Sequence, residues 1–553
     1  MNYVRKQDKR FRRFAASVAA VVVLTLAGAA VPARAQTYTV IYDAPAGEGI
    51  SNPQGQADAQ GRNGNLYFTA AGDGAGYGAL FEITPSGAVT IVYTQGFTLA
   101  GGATLGTDGN FYGTDYNGGG CCGQVWRVTP AGVGTILHTF NGTDGIYPVS
   151  DVIEGTNGKF YGTTPYNNSD GPGTAYSVTS NGTFTTLHTF ASSEGSNIDA
   201  GLVQGTDGNF YGVAQTGGAY SCYGVPGCGT IFKMTPSGTV TVLHNFDGSD
   251  GSRPSQPLVQ ASDGNFYGAS FNGGAYDAGV VFKITPSGTY TVLHSLDPGA
   301  SDGAYPSAAL IEGTDGNLYG VTSFGVSGTI FSVTTTGTFT TLYTFCASGT
   351  CTDGANPHSP LIQNTNGIFY GSTVGGGGGD CDGSNCGTIF SLNMGLRPFV
   401  RLVTASGEEG AKIGILGQGF SSSSLVKFGG TKATTIVLTG TTFITATVPA
   451  GALTGSVTVT TGSTTLTSSR TFDVLPTLTK FAPESGPVGT SVTITGTGLK
   501  QTTKVTFDGK SATFKVISDT EVTADVPTGA KTGKIAVTTK GGSVTSSAEF
   551  TVN

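Results

Sequence analysis

The chain has 553 residues, 90 of them glycine, and only 11% are charged. That length exceeds one ordinary domain, and the glycine content, about twice the usual ~7%, excludes a helical bundle in favour of many short strands and tight turns. Acidic residues outnumber basic ones, 35 to 27, which argues against a phosphate-backbone partner and so against nucleic-acid binding.

Residues 1–35 read as a signal peptide. Arg5, Lys6, Lys9, Arg10, Arg12 and Arg13 form a basic start, an apolar run follows from Ala15 to Ala30, and Ala33-Arg34-Ala35 is a small-x-small cleavage site. An uncleaved anchor is the alternative, although the run is short for a bilayer span. The expected product begins at Gln36 and is exported, to the periplasm, the cell surface or the medium, with no transmembrane segment left. After cleavage, residues 36–397 carry 7 basic and 25 acidic side chains, whereas 398–553 carry 13 and 9. The chain therefore has an acidic first part and a mildly basic end.

Seven segments then share one pattern, clearest at Gly205-Thr206-Asp207-Gly208-Asn209-Phe210-Tyr211-Gly212. Its tyrosine recurs at Tyr67, Tyr112, Tyr161, Tyr211, Tyr267, Tyr319 and Tyr370. A period near fifty residues points to a propeller or a solenoid. Each unit reads as four strands: a short apolar strand, an Asp-Gly-Asn turn, a Phe-Tyr strand, a Gly-rich loop, a third strand such as Thr230 to Met234, a Thr-Pro-Ser-Gly turn and a last alternating strand. The seventh unit stops after its third strand, and Thr37 to Tyr42 matches the missing piece. The expectation is an all-β fold in which residues 36–397 form a closed seven-bladed β-propeller, completed by the N-terminal strand.

These blocks, G-T-D-G-N-F-Y-G followed by G-T-I-F-K, T-P-S-G and L-H-x-F, resemble the GloVer tandem repeat of exported "choice-of-anchor" bacterial proteins over about residues 37–394. More loosely, they are similar to NHL-type propellers. The resemblance implies a fold and a location and brings no reaction with it.

Residues 398–474 and 475–553 are a second duplication of about seven short Val/Thr-rich strands each, which fits an immunoglobulin-like sandwich. Pro483-x-Ser485-Gly486-Pro487-x-Gly489 in the second copy resembles the IPT/TIG domain; the first copy lacks both prolines around Ser406-Gly407. The resemblance implies spacer or adhesive modules.

Eight cysteines fall as Cys121/Cys122, Cys222/Cys228, Cys346/Cys351 and Cys381/Cys386. An even count in an exported chain favours disulfides that staple loops; Cys121 and Cys122 either bridge each other or pair elsewhere. No histidine converges on them to make a metal site. His138, His188, His244 and His294 repeat once per unit in the same L-H slot, so they read as architecture, because a general base is needed once. Asp108, Asp207, Asp263 and Asp315 read as turn residues. Asp144, Asp250, Asp302 and Asp353 open a recurrent Asp-Gly-x-x-Pro linker and are candidate calcium ligands, with an Asx-type turn as the other reading. Tyr116, Tyr166, Tyr220, Tyr223 and Tyr276 lie in the Gly-rich loops and are the candidate ligand-binding residues, since an aromatic face with a polar tip suits a sugar ring.

The functional expectation is a non-catalytic, monomeric surface or secreted protein whose propeller binds a glycan or another surface protein, without an organic cofactor. The alternative is an extracellular propeller enzyme of lyase, lactonase or glycosidase type, for which the unrepeated candidates are Asp199, Arg253 and His358.

Overall fold

Each repeat folds as an antiparallel sheet, four-stranded in the first five and five-stranded in the sixth and seventh, whose first turn is tied by its own side chains. In the fourth, Val203–Gln204, Phe210–Ala214, Thr230–Met234 and Val240–Asn245 lie in sequence order. Gly208 supplies the left-handed residue of the turn, at φ +80°. Asp207 Oδ1 accepts the Asn209 amide N–H at 3.1 Å, while Oδ2 accepts Asn209 Nδ2 at 2.9 Å and the Tyr211 hydroxyl at 2.8 Å. Asp108, Asp263 and Asp315 hold Tyr112, Tyr267 and Tyr319 in the same way. In the remaining three turns Asn63, Asn157 and Asn366 donate to Tyr67, Tyr161 and Tyr370.

The computed structural model describes residues 36–44, 59–70, 78–95, 101–168, 171–222, 224–324, 328–378 and 387–553. The expected signal peptide 1–35, Tyr223, Cys381 and Cys386 lie outside the described residues. Gln36–Asn553 forms one compact unit. The fold is all-β, its only helical turns being three 3-10 segments of three residues each among the described residues.

Seven such sheets follow one another along residues 59–393. The Phe-Tyr pair of the repeat is what joins them. The tyrosine of one sheet packs on the phenylalanine of the next, stacked for Tyr67 on Phe111, Tyr112 on Phe160 and Tyr211 on Phe266 and tilted for Tyr161 on Phe210 and Tyr319 on Phe369, with centroids 3.7–4.3 Å apart. Where the next sheet carries leucine, Tyr267 shares a core with Leu318 and Tyr370 with Leu66. The last of these pairs joins the seventh sheet to the first, so the array is a ring. A belt of hydrogen bonds repeats the connection. Thr156, Thr206 and Thr314 amides donate to Gln204, Gln260 and Gln363 of the following sheet at 2.9–3.1 Å, and Thr365 donates to Gln60 at 3.1 Å, again from seventh to first.

The N-terminal strand Thr37–Asp43 pairs antiparallel with Thr388–Asn393 and supplies the outer strand of the seventh sheet. Tyr38 fixes it there. Its ring stacks on Tyr343 of the sixth sheet at 3.9 Å and meets Phe345 edge-on, and its hydroxyl donates to the Asp353 carbonyl at 2.5 Å.

The glycine that follows the recurrent tyrosine in six of the seven repeats has a steric role. A Cβ on Gly212 would stand 2.5 Å from Phe232 Cζ, and one on Gly268, Gly320 or Gly371 would meet Phe282, Phe331 or Phe390 at 2.5–2.6 Å. The third-strand aromatic therefore lies flat over the second-strand backbone. Gly212→Ala is expected to cost about 1–3 kcal/mol through overpacking, read as a lower urea midpoint with an unchanged slope.

Residues 398–553 form two modules with one strand order. Each pairs a four-stranded sheet with a five-stranded sheet, and the five-stranded sheet includes one parallel pair, Ser406–Gly407 beside Thr464–Val474 in the first and Ser485–Gly486 beside Gly542–Val552 in the second. The first module therefore keeps the strand order of the second despite lacking its prolines. It docks on the ring at the turns between first and second strands, here those of the first and seventh sheets. Thr442 Oγ1 donates to the Arg62 carbonyl at 2.7 Å, the Arg62 guanidinium lies 4.5 Å over the Phe443 ring, and Gln418 Nε2 donates to Thr365 Oγ1 at 2.9 Å. No helix among the described residues is long and apolar enough to cross a membrane.

Candidate functional site

In an up-and-down sheet, alternate connections lie at opposite ends. The Asp-Gly-Asn turns occupy the end covered by the first module. The Gly-rich loops and the Asp-Gly-x-x-Pro linkers share the other end, and the candidate tyrosines lie there. Tyr116 and Tyr166 are 37% exposed, Tyr220 53% and Tyr276 57%.

The linkers shape this mouth through a feature the repeat pattern hides. Tyr147, Asn197, Arg253, Tyr305 and Asn356 occupy one repeat position and all take left-handed backbone, at φ +53° to +58°. For side chains this large, that conformation is uncommon and is held in place by its surroundings. Tyr147 N–H donates to the Cys122 carbonyl, Arg253 N–H to that of Cys228 and Tyr305 N–H to that of Ala278, each at 2.8–2.9 Å. The turn aims these side chains at a Gly-rich loop, that of the preceding sheet for Tyr147 and Tyr305 and that of the following sheet for Asn197. Tyr147 stacks on Tyr116 at 4.8 Å, Tyr305 stacks on Phe271 at 5.0 Å, and Asn197 Nδ2 donates to Gln215 Oε1.

Two residues further along, the same linkers carry Val149, Asp199, Ser255, Ser307 and His358. Burial pushes the Asp199 carboxyl up to about 8, and its Oδ1 has no hydrogen-bond partner among the described residues. Burial also raises the Tyr166 phenol, with the charge of Asp199 and the neighbouring phenol of Tyr116 adding to it. One side of the mouth therefore gathers Tyr116, Tyr147, Tyr166 and Asp199. His358 is exposed to solvent. No ion pair joins Asp199, Arg253 and His358 among the described residues.

The four repeated histidines have partners that the sequence reading did not assign. His138, His188, His244 and His294 reach Asp144, Glu194, Asp250 and Asp302 at 2.7–2.9 Å. His138, His244 and His294 also stack on Phe184, Tyr290 and Phe339 of the following sheet. In the sixth sheet Tyr343 takes the slot and donates to Asp353 at 2.8 Å.

The candidate calcium ligands Asp144, Asp250, Asp302 and Asp353 are the carboxylates of these pairs. Their oxygens face imidazole, phenol and backbone N–H groups: Asn141 on Asp144, Asp247 on Asp250, Asp297 on Asp302 and Cys346 on Asp353. A calcium ion, which needs six to eight oxygens turned toward it, would have to displace these donors. Among the described residues no group of three or more His, Cys, Asp or Glu is arranged to hold a metal ion.

Cys121 bonds its neighbour Cys122, and Cys222–Cys228 and Cys346–Cys351 are also bridged. The first two staple loops of the open mouth; the third ties the linker that carries Asp353.

The profile of the Gloeobacter/Verrucomicrobia repeat matches residues 29–226 and 220–443, more than half of the chain. The chain belongs to the Gloeobacter/Verrucomicrobia repeat family. In this repeat protein the IPT/TIG domain is matched over residues 476–552, the second module. No curated protein is significantly similar to it in sequence. Among solved structures it is similar to the extracellular domain of a hybrid two-component system from B. thetaiotaomicron, at 12% identity and a TM-score of 0.42, covering 93% of this chain and 56% of that one. The repeat protein thus spans little more than half of that structure's length. It is also similar to a gluconolactonase from Xanthomonas campestris (9% identity, TM-score 0.35, 65% of this chain and 90% of that one). A third likeness is to SGBP-B from a xyloglucan utilization locus in Bacteroides uniformis (21% identity, TM-score 0.15, 28% of this chain and 48% of that one). At such identities and scores these likenesses say nothing about activity.

Proposed function

We propose that this is a non-catalytic exported binding protein, a seven-bladed β-propeller whose open mouth takes a glycan or a surface protein. Its two C-terminal modules, read as IPT/TIG-like sandwiches, form the stalk. The observation that carries the reading is the cluster of Tyr116, Tyr147 and Tyr166 at the end the stalk leaves free. Tyrosines present a rigid apolar face with a polar tip at low entropic cost, which suits pyranose rings and protein surfaces alike. The acidic ring favours neutral or cationic ligands there. Because the exposed rings of Tyr116 and Tyr166 support little of the core, the double variant Tyr116→Ala/Tyr166→Ala is expected to keep its melting temperature. On a glycan array and in pull-downs of surface proteins it is expected to lose its ligand by tenfold or more. Undiminished capture by the variant would reject this mouth as the site.

One observation favours an enzyme as the second reading. A carboxyl that stays protonated at neutral pH, as burial makes Asp199, is able to donate a proton. That reading requires substrate turnover that disappears in Asp199→Asn.

A further inference from the structure

The covered end of the ring holds a feature unlike the rest of this acidic protein. Between the first module and the inner strands of the fifth, sixth and seventh sheets lies a cavity of about 360 Å³. Arg401 and Arg470 line it from the module, Glu312 and Gln363 line it from the ring, and Ile311 and Ile362 contribute apolar wall. The two arginines come from strands Arg401–Leu402 and Thr464–Val474, brought alongside each other by a parallel bridge between Val400 and Ser468.

The charges around the cavity do not balance. Each guanidinium carries five N–H donors. Arg401 Nη2 donates to the Gln363 carbonyl and Arg470 Nη2 to that of Gln260 at 3.4 Å. The only carboxylate lining the cavity is Glu312. It already accepts the Ser262 amide at 3.0 Å and the Ser262 hydroxyl at 2.6 Å. Two cations therefore face one committed anion across a pocket that is open to solvent at Arg470. Burial, with the like charge of Arg470 behind it, lowers Arg401 to about 10, and Arg470 itself is exposed to solvent. A docking contact alone would be served by one arginine against Glu312. The second guanidinium and the open volume call for an occupant.

We propose that this cavity is a binding site for a small oxyanion, a carboxylate or phosphate group held between Arg401 and Arg470. Planar guanidinium groups recognise both by paired N–H donors. The volume lies within the range of small-molecule sites, and the isoleucine wall suits a ligand with a compact carbon skeleton. The site is independent of the open mouth, and the Tyr116 and Tyr166 variants are expected to leave it unchanged.

The test is calorimetric titration of the whole chain from Gln36 with glucuronate, with inorganic phosphate and with glucose as the neutral control. At least one anion is expected to bind and glucose is not; the tighter anion tells whether the site selects an organic carboxylate or a phosphate. Arg470→Gln is expected to weaken that anion by tenfold or more. Glu312→Gln, which removes the competing carboxylate, is expected to tighten it several-fold, and it decides the matter should Arg470→Gln fail to fold. No binding of either anion, equal binding of glucose, or an affinity unmoved by Glu312→Gln would overturn the proposal.

Discussion

Removing residues 36–44 is expected to lower the melting temperature by roughly 10 °C or more and to promote aggregation. The deletion takes away a whole strand pairing, Thr37 to Asp43 against Thr388 to Asn393. It also removes the wedge that Tyr38 drives between the sixth and seventh sheets. Losing the ring of Tyr38 alone, in Tyr38→Ala, is expected to cost about 2–4 kcal/mol. The exposed edge of Thr388–Asn393 would then present unpaired N–H and C=O groups to other chains. Differential scanning calorimetry with light scattering reads both effects. A truncated chain that melts like the full one would mean that the ring does not depend on this closure.

Asp151→Asn is expected to act in the opposite direction and stabilise the protein at neutral pH. Asp151 is 8% exposed in the linker before the third sheet, and burial pushes its carboxyl to about 7 from an ordinary 3.8, even though the Gly102 amide donates to it. The folded value lies above the unfolded one, so the folded state holds the proton more tightly. The stabilising contribution of the neutral acid is fully present below pH 4 and is lost as pH rises through 7. A shift of this size corresponds to an effect on the order of a few kcal/mol. Asparagine keeps an acceptor for Gly102 and carries no charge. The gain in unfolding free energy of Asp151→Asn over wild type is therefore expected to be largest near pH 8 and to vanish near pH 4. A difference constant across that range would mean the carboxyl is ionised in the folded protein.

The repeats were legible because their punctuation is chemical. An Asp-Gly-Asn turn followed by Phe-Tyr announces a hairpin, and the structure adds that Asp207 closes it on Tyr211. What the period could not announce is contact between units. Tyr211 looks like a core residue of its own sheet, yet it stacks on Phe266, 55 positions away. The partners of the linker aspartates were hidden for a related reason. A repeated Asp-Gly linker has the composition of an oxygen-rich site, and only the fold shows the strand end that brings His138 to Asp144 six residues later. That spacing recurs from His188 to Glu194 and from His244 to Asp250, and it was the available signal.

The mouth was half visible. Exposed loop tyrosines stand out in a sequence, and Tyr116 and Tyr166 do lie on one side together with Asp199. Tyr147 did not stand out as part of a site, because its role depends on a left-handed backbone that the linker imposes. Arg401 and Arg470 were invisible for a different reason. They are 69 residues apart and belong to a module whose pattern gives no hint that it covers a ring.

The reading as a binder rather than an enzyme is tested most directly by mass spectrometry of whatever glycan or surface protein the open mouth captures, after prolonged incubation with wild type and with Asp199→Asn. The expected result is a ligand released at unchanged mass from both. A cleaved, eliminated or ring-opened product formed by wild type and absent with Asp199→Asn would contradict it.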